Sequence, residues 1–592
     1  MSRAAVGRGD AAAQGTDEAA AGARGDALAQ GIAALRRAAA GEPLADRAAH
    51  RDPLDGASVD VLVIGGGITG AGVALDAAAR GLRVALVEQG DFASGTSSRS
   101  SKMIHGGFRY LQTGDVALVR ESLRERHRLQ RNAPHLVGLL PFMIPLFLKG
   151  GLINPRLSRA LGAALWSYQF AGAWRLGRRH RRLDAAAAQA HMPALETGRI
   201  GGAYLFHDLR ADDARLTLAV LASAAERGAR VLNHARCRTV SAYTQGGRTA
   251  EIETDGGRLT LRAAVVVNAT GVWAGRFLQE AGLPGRTQLA PAKGAHLVLP
   301  AALLGNDVAV SLPVPGDRRT VSVVRQGPFC FVGSTDSHEP ADVDAPGVGE
   351  RDVDYVLRAL NHHLHRPVER AALTGGWAGF RPLLADGGAA GRSADLSRRH
   401  RIAREAEGLV TVTGGKLTTY REMAEGTVDL VCDLLGRRRA CPTRDLKLFG
   451  HGPGAGRAGA AATDEGERLG RRYGNRAETL RRLVAQHPAL GERLTPLDDT
   501  RLVEVAWGLH AEMARDLGDA LLRRTRVGTY DGRALLADAD RIGGRVLGWS
   551  GWEAARAQQA LDGLKAVLRR ELGVLADDLP TPPGPVPAPA TA

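Results

Sequence analysis

The sequence predicts an α/β protein with a Rossmann-like nucleotide-binding domain, an antiparallel-sheet domain and a C-terminal helical domain. Three observations predict it. A strand, a glycine turn, a helix and a second strand follow one another near residue 60. Short strand-like runs follow in the middle of the chain, and a charged helical texture sets in beyond Cys441. The 592 residues suffice for several domains at ~150 residues each.

Residues 1–57 are mostly Ala, Gly, Arg and Asp in no order and are expected to be a disordered extension, with a short helix over Ala27–Ala40 as the alternative. Val59–Ile64 reads as a buried strand, Ile68–Arg80 as a crossover helix and Val84–Glu88 as a second parallel strand. An amphipathic helix, Val116–Arg131, comes next, and 136–200 has the look of an insertion. A helix over Asp213–Arg227 leads into strands ending at Val265–Trp273, which closes the first part of the nucleotide-binding domain at 58–290. His296–Pro300, Val308–Pro313, Thr320–Arg325 and Phe329–Gly333, with a turn at Pro315–Asp317, predict an antiparallel sheet within 291–375. Glycine-rich segments return over 376–440 and complete the first domain. Residues 441–578 are read as helical, including Leu502–Arg526, and the Pro-rich 579–592 as an extended tail.

Composition narrows the function classes. Lys and Arg number 78 against 63 Asp and Glu, a net charge of +15. A basic balance suits a phosphorylated metabolite, an anionic lipid surface or a nucleic acid. No nucleic-acid motif is present, and only 4% of residues are aromatic, too few for a base-stacking platform, so nucleic acid is set aside. The four cysteines, Cys237, Cys330, Cys432 and Cys441, form no CxxC pair. Neither a zinc site nor a disulfide framework is expected, no metal is invoked, and a reducing compartment is the default. The longest apolar stretch, Leu136–Leu148, contains Pro141 and Pro145 and is too short to span a bilayer. Buried strand is its first reading and lipid contact its second. The N-terminus lacks the apolar core of a signal peptide, which leads to the expectation of a cytoplasmic protein, free or resting on the inner face of the cell membrane.

The chemistry-bearing motifs begin with Gly65-x-Gly67-x-x-Gly70, flanked by Ile64, Ile68 and Thr69. Glycines there permit a tight turn and a close approach of backbone to a pyrophosphate, and the helix N-terminus attracts its charge. Glu88, 18 residues after Gly70 and followed by Gln89, offers an acceptor to a ribose diol. The segment Ala93–Asp115 holds Thr96, Ser97, Ser98, Ser101 and Lys102 as candidate cofactor contacts, then His105, Arg109 and Tyr110. These last three put a titratable ring, a fixed cation and a phenol in one short stretch. Ala269, Thr270 and Gly271 end a Val-rich strand, Thr335 follows another, and Gly415, Lys416, Leu417 and Thr418 form a second glycine turn ahead of a helix. A helix N-terminus at that turn would stabilise negative charge.

The sequence is similar to the FAD-dependent glycerol-3-phosphate dehydrogenase family of the aerobic, quinone-linked type. The likeness rests on Ile64–Leu82, Thr96–Leu111, Asp212–Leu216, Asn268–Ala274, Lys293–Pro300, Val332–Asp336, Gly379–Leu383, Gly414–Arg421 and Glu512–Arg526, in family order; it departs at Met103 and Phe108, both apolar. The resemblance implies a flavin-oxidase-like core with FAD bound, a helical cap, and oxidation of sn-glycerol 3-phosphate to dihydroxyacetone phosphate. A membrane quinone as acceptor is implied with it; the basic surplus fits contact with an anionic membrane surface, and a homodimer is left open. His105 is then the expected base and His296 its competitor or a substrate contact. Arg109 and Arg381, with Tyr110, are expected to hold the substrate phosphate, and Lys293 and Lys416 to stabilise charge on the alcohol oxygen or the reduced flavin. An oxidase that uses oxygen and a non-catalytic FAD-binding protein are the alternatives.

Overall fold

A computed structural model describes residues 25–107, 115–148, 158–285, 287–317, 319–337, 342–384, 400–453, 465–548 and 552–577. Residues 1–24 and the tail 579–592 lie outside the described residues. The disorder expected up to residue 57 does not hold from 25 onward. A helix over 25–39 buries Ile32, Leu35 and Ala39, whose spacing lays an apolar stripe along one helical face. Its Gly31 lies so close to His487 that a Cβ would meet that residue's Cβ at 3.0 Å. A shorter helix, Arg47–Arg51, is capped by Asp46, which accepts from the Ala49 N–H.

The first sheet carries the predicted parallel unit. Its strands run in the order His400–Ala406, Leu409–Gly414, Gly257–Asn268, Ser58–Ile64, Val84–Val87 and Arg230–Leu232, and the four junctions after the first pair are parallel. Ser58–Ile64 lies inside the sheet, so Val61, Leu62 and Val63 are fully buried and the strand reads as a continuous apolar run. Helix Ile68–Ala79 packs between Asp213–Ala225 and Tyr420–Leu434. Gly72 permits the second contact, since a Cβ there would meet the Tyr420 ring at 2.9 Å.

The second sheet is larger than expected. It runs Gly375–Arg381, Ala292–Pro300, Phe329–Gly333, Thr320–Gln326, Ala309–Pro313, Val137–Phe147, Ile200–Ala211 and Met103–Ile104. The presumed insertion is therefore part of it. Val137–Phe147 pairs parallel to Ala309–Pro313 and antiparallel to Ile200–Ala211. This bears out the first reading of Leu136–Leu148, a buried strand, over lipid contact: Val137, Leu140, Met143, Leu146 and Phe147 are buried.

The C-terminal helices pack on this sheet, and one apolar cluster runs from Leu297 and Val323 to Trp507 and Leu568. Leu502–Arg526 is not one helix. Leu502–Ala511 stops, Met513 takes φ 56°, and a π-helical turn follows over Asp519–Arg524. The break turns charged side chains toward the first domain. Arg215 forks onto Glu512 at 2.6 and 2.7 Å, and Arg524 forks onto Asp91 at 2.6 and 2.8 Å.

Within the helical domain, Glu504 is fully buried and takes Arg468 at 2.6 Å and Arg472 at 2.8 Å. Burial pushes its carboxyl up, but the two guanidinium groups together pull it down to about 2. A carboxyl lowered on folding stabilises the protein above its unfolded range and loses that contribution as pH falls through the folded value. At ~1.4 kcal/mol per unit this is about 3 kcal/mol, surrendered between about pH 4.5 and pH 2. Calorimetric unfolding should show the melting temperature falling over that window. Glu504→Gln should cost roughly 3–5 kcal/mol at pH 7, because two buried cations lose their partner, and should flatten the acid slope.

Candidate active site

A cleft lies along the carboxyl ends of the parallel strands. Ile64, Gly65, Gly67, Ile68 and Thr69 line its centre, Glu88 and Gln89 one side, and Ala269, Thr270, Gly271, Gly415, Lys416 and Leu417 the other. Lining reaches from Thr413 past Ala269 and Ile64 to Val87, at the ends of four neighbouring strands, which is roughly 14 Å at ~4.8 Å per gap, and continues beyond them to Ala235–Cys237. An elongated cleft of that reach suits a dinucleotide.

The glycines act as their spacing suggests. A Cβ on Gly65, at φ 115°, would meet the Ala269 carbonyl oxygen at 2.5 Å. A Cβ on Gly70 would meet the Gly65 carbonyl oxygen at 2.0 Å, so Gly70 seats the helix under the turn and does not line the cleft. At Gly67 only Ser97 would be met, at 3.1 Å, leaving a place where backbone can approach a pyrophosphate. The Glu88 carboxylate accepts from the Gly66 N–H at 2.7 Å and the Gly90 N–H at 2.9 Å. Burial raises its carboxyl above the ordinary range, and those two bonds offset only part of that rise. Each oxygen keeps a lone pair for a ribose hydroxyl. Gly414 and Gly415, at φ 79° and 78°, form the second turn. Lys416 lines the cleft and its Nζ reaches Ser122 Oγ at 3.5 Å.

The serine-rich loop has two sides. Thr96, Ser97 and Ser100 line the cleft. Ser97 Oγ accepts the Ile68 N–H at 2.9 Å, and Thr96 Oγ1 donates to the Phe380 carbonyl at 2.7 Å. Ser98, Ser101 and Lys102 face inward, correcting their expected place on the cofactor. Ser98 gives its carbonyl to Lys102 Nζ and Arg526. Ser101 Oγ meets His296 Nε2 at 2.8 Å. Lys102, 4% exposed, pairs with Asp213 at 3.0 Å and sits 4.5 Å over the Trp377 ring. Burial lowers its ammonium to about 8.

His105 stands next to the second glycine turn. Its N–H donates to Thr418 Oγ1 at 3.3 Å, while Thr418 Oγ1 lies 3.4 Å from its carbonyl; Thr418 thus clasps the loop and does not line the cleft. The Gly107 N–H donates to His105 Nδ1 at 3.0 Å. A neutral ring that accepts at Nδ1 carries its proton at Nε2. As it stands His105 offers a donor at Nε2, and a base role at that atom needs the Gly107 bond to be released.

Arg381 sits half-buried at the end of Gly375–Arg381, donating to Asp336 at 2.9 Å, Ser334 Oγ at 2.8 Å and the Thr335 carbonyl at 3.2 Å. Its neighbour Pro382 lines the cleft. Lys293 pairs with Asp352 at 2.8 Å. Thr335 donates to the same carboxylate at 2.7 Å and accepts the Ala295 N–H at 2.9 Å. Lys293 and Thr335 thus brace the loop that holds Arg381, and neither lines the cleft. His296, 3% exposed, stacks on Trp377 with centroids 4.7 Å apart. Burial pushes its ring well below the ordinary histidine value; with Ser101 Oγ on Nε2 and Trp377 against its face, His296 does not line the cleft. Arg109 and Tyr110 lie outside the described residues.

Several lining residues carried no motif. Arg236 and Cys237 face the cleft from a strand, and Arg276, Phe277 and Glu280 from helix Ala274–Glu280. Trp273, at the end of the NATGVW run, both lines the cleft and donates from Nε1 to Asp344 at 2.6 Å. The NATG signal pointed at the right helix start; nothing in the spacing marked 235–237.

Residues 60–421 match the family model described as FAD dependent oxidoreductase, and 441–557 the C-terminal domain of alpha-glycerophosphate oxidase. The chain is 38% identical over 488 residues to glycerol-3-phosphate dehydrogenase 1 of Mycobacterium bovis, covering 80% of this chain and 92% of that one. Glycerol-3-phosphate dehydrogenase 2 of Mycobacterium tuberculosis is 36% identical over 531 residues, covering 86% and 88%. The solved glycerol-3-phosphate dehydrogenase of Bacillus halodurans, complexed with FAD, superposes with a TM-score of 0.70 at 26% identity over 90% of this chain and 98% of that one. The cleft's two glycine turns suit that cofactor, FAD, and the likeness spans both domains: the chain belongs to the FAD-dependent glycerol-3-phosphate dehydrogenase family.

Proposed function

We propose that the chain oxidises sn-glycerol 3-phosphate to dihydroxyacetone phosphate and passes the electrons to a quinone. The observation that carries this reading is the meeting of the His105 loop with the Lys416–Thr418 turn at one end of a dinucleotide-sized cleft. FAD supplies the hydride acceptor when bound. The glycine turn at Gly65–Gly67 and Glu88 would hold its pyrophosphate and ribose, and the Gly414–Leu417 turn its far end. His105 takes the proton of the substrate hydroxyl once Gly107 releases Nδ1 and the ring proton moves there. Arg381 supplies a two-pronged donor for the phosphate in exchange for Asp336. Lys416 holds positive charge at the second glycine turn, where negative charge develops.

A surface feature supports a membrane acceptor. Trp166, Phe170 and Trp174 are 45%, 77% and 58% exposed, and Trp166 stacks on Phe170. Arg175, Arg178, Arg179, Arg181 and Arg182 are exposed just beyond them. Aromatic rings beside a cationic cluster suit an anionic interface, and no helix among the described residues is long and apolar enough to cross a membrane. The reading places the protein on the inner face of the cell membrane.

In steady-state assays, glycerol 3-phosphate should reduce a soluble quinone analogue with little peroxide formed. Peroxide in step with substrate consumed, unaffected by quinone, would favour an oxidase. His105→Asn should lower kcat about 100-fold with KM little changed. Arg381→Ala should raise KM for glycerol 3-phosphate at least tenfold while sparing the weak activity on free glycerol; equal losses on both refute the phosphate role. Co-sedimentation with vesicles containing anionic lipid should fall when Trp166, Phe170 and Trp174 are all replaced by Ser, and binding that persists undiminished removes this face as the contact.

A further inference from the structure

All three consecutive N–H groups of the His105–Gly107 turn are taken. His105 donates to Thr418 Oγ1 at 3.3 Å, Gly106 to the Tyr168 hydroxyl at 2.9 Å with a longer branch to Asp208 Oδ1 at 3.4 Å, and Gly107 to the His105 ring at 3.0 Å. The middle bond leads into a buried charged network outside the cleft. The Tyr168 hydroxyl donates to Asp208 at 3.0 Å, and Arg126 pairs with the same carboxylate. Tyr168, Asp208 and Arg126 are 2%, 5% and 0% exposed. They come from helix Ser158–Phe170, strand Ile200–Ala211 and helix Val116–Asn132, so the turn is braced by three elements at once. The fit is close: a Cβ on Gly106 would meet the Tyr168 hydroxyl at 2.4 Å.

Burying a carboxylate and a guanidinium carries a desolvation cost that apolar packing would avoid. Here the pair does something apolar residues would not. By accepting from the tyrosine hydroxyl, Asp208 polarises it and strengthens it as an acceptor for the Gly106 N–H. Burial, followed by the Asp208 charge, pushes the Tyr168 phenol well above its ordinary range, so the hydroxyl keeps the proton it donates. The residue fixed by that bond directly follows His105.

We propose that Tyr168 and Asp208 are positioning residues that set the His105 ring for catalysis, a claim that rests on the proposed role of His105 toward the substrate hydroxyl. Tyr168→Phe keeps the ring, which packs edge-on against Phe206 with centroids 6.4 Å apart, and removes only the hydroxyl. In the flavin-loaded full chain, hydrogen exchange at the Gly106 amide should speed up at least tenfold. The kcat should fall about tenfold, with KM within twofold, flavin content unchanged and the melting temperature little altered. Leu165→Ala, a core truncation on the same helix, should lower the melting temperature and leave kcat and the Gly106 amide near wild type. Unchanged exchange or kcat in Tyr168→Phe overturns the proposal, as does a kcat loss that tracks flavin loss or that Leu165→Ala reproduces. Should the wild-type protein fail to oxidise glycerol 3-phosphate, the proposed reaction falls, while the exchange comparison still decides whether Tyr168 holds the turn.

Discussion

The buried cation Lys102 is the fixed point from which the site is built. It takes a positive φ of 56° and sits inside the protein with its ammonium on Asp213 and on the Ser98 carbonyl. Arg526 reaches the same carbonyl at 2.8 Å from the C-terminal domain, and Ser100 donates from both its N–H and its hydroxyl to Asp213. A loop that turns sharply between a cleft and a core leaves backbone groups that no sheet or helix satisfies, and buried groups of that kind need partners. The charged cluster supplies them. It also explains why the helical domain is joined to the nucleotide-binding domain through arginines and carboxylates as well as through apolar packing.

One consequence is a division of labour within a single run of sequence. Residues 96–102 divide between lining the cleft, as Thr96, Ser97 and Ser100 do, and gripping the interior, as Ser101 and Lys102 do. The same pattern recurs beyond the cleft: Lys293, Asp352 and Thr335 brace the loop that carries Asp336, and Asp336 in turn holds Arg381. Charges that spacing alone would assign to the ligand belong in part to the scaffold that orients the ligand's contacts. Precision at a site of this kind comes from such supports.

The parallel unit was legible because a buried strand, a glycine turn and a crossover helix each leave a local mark; in the second sheet, Phe329–Gly333 came out with the boundaries read from sequence. The centre of the cleft was legible for the same reason, since Gly65, Gly67 and Glu88 act through backbone geometry that few residue types permit. What sequence did not reveal depends on distant partners. Lys102 and Asp213 are 111 residues apart, and residue type alone does not tell which side of a loop a serine faces. The helix at 25–39 was masked by an Ala- and Gly-rich background, although Ile32, Leu35 and Ala39 carry its stripe. Val137–Phe147 was read as buried strand, but its pairing with Ala309–Pro313, far along the chain, left no local mark, so its place in the second sheet was not legible.

The central claim is that the cleft holds FAD with its reactive end open to a small phosphorylated alcohol beside His105. Anaerobic addition of glycerol 3-phosphate to the purified protein, followed by its visible spectrum, tests this most directly. The account predicts a yellow protein whose flavin bands bleach within seconds at saturating substrate and far more slowly with glycerol at the same concentration. A protein that carries FAD and stays yellow under glycerol 3-phosphate would contradict it.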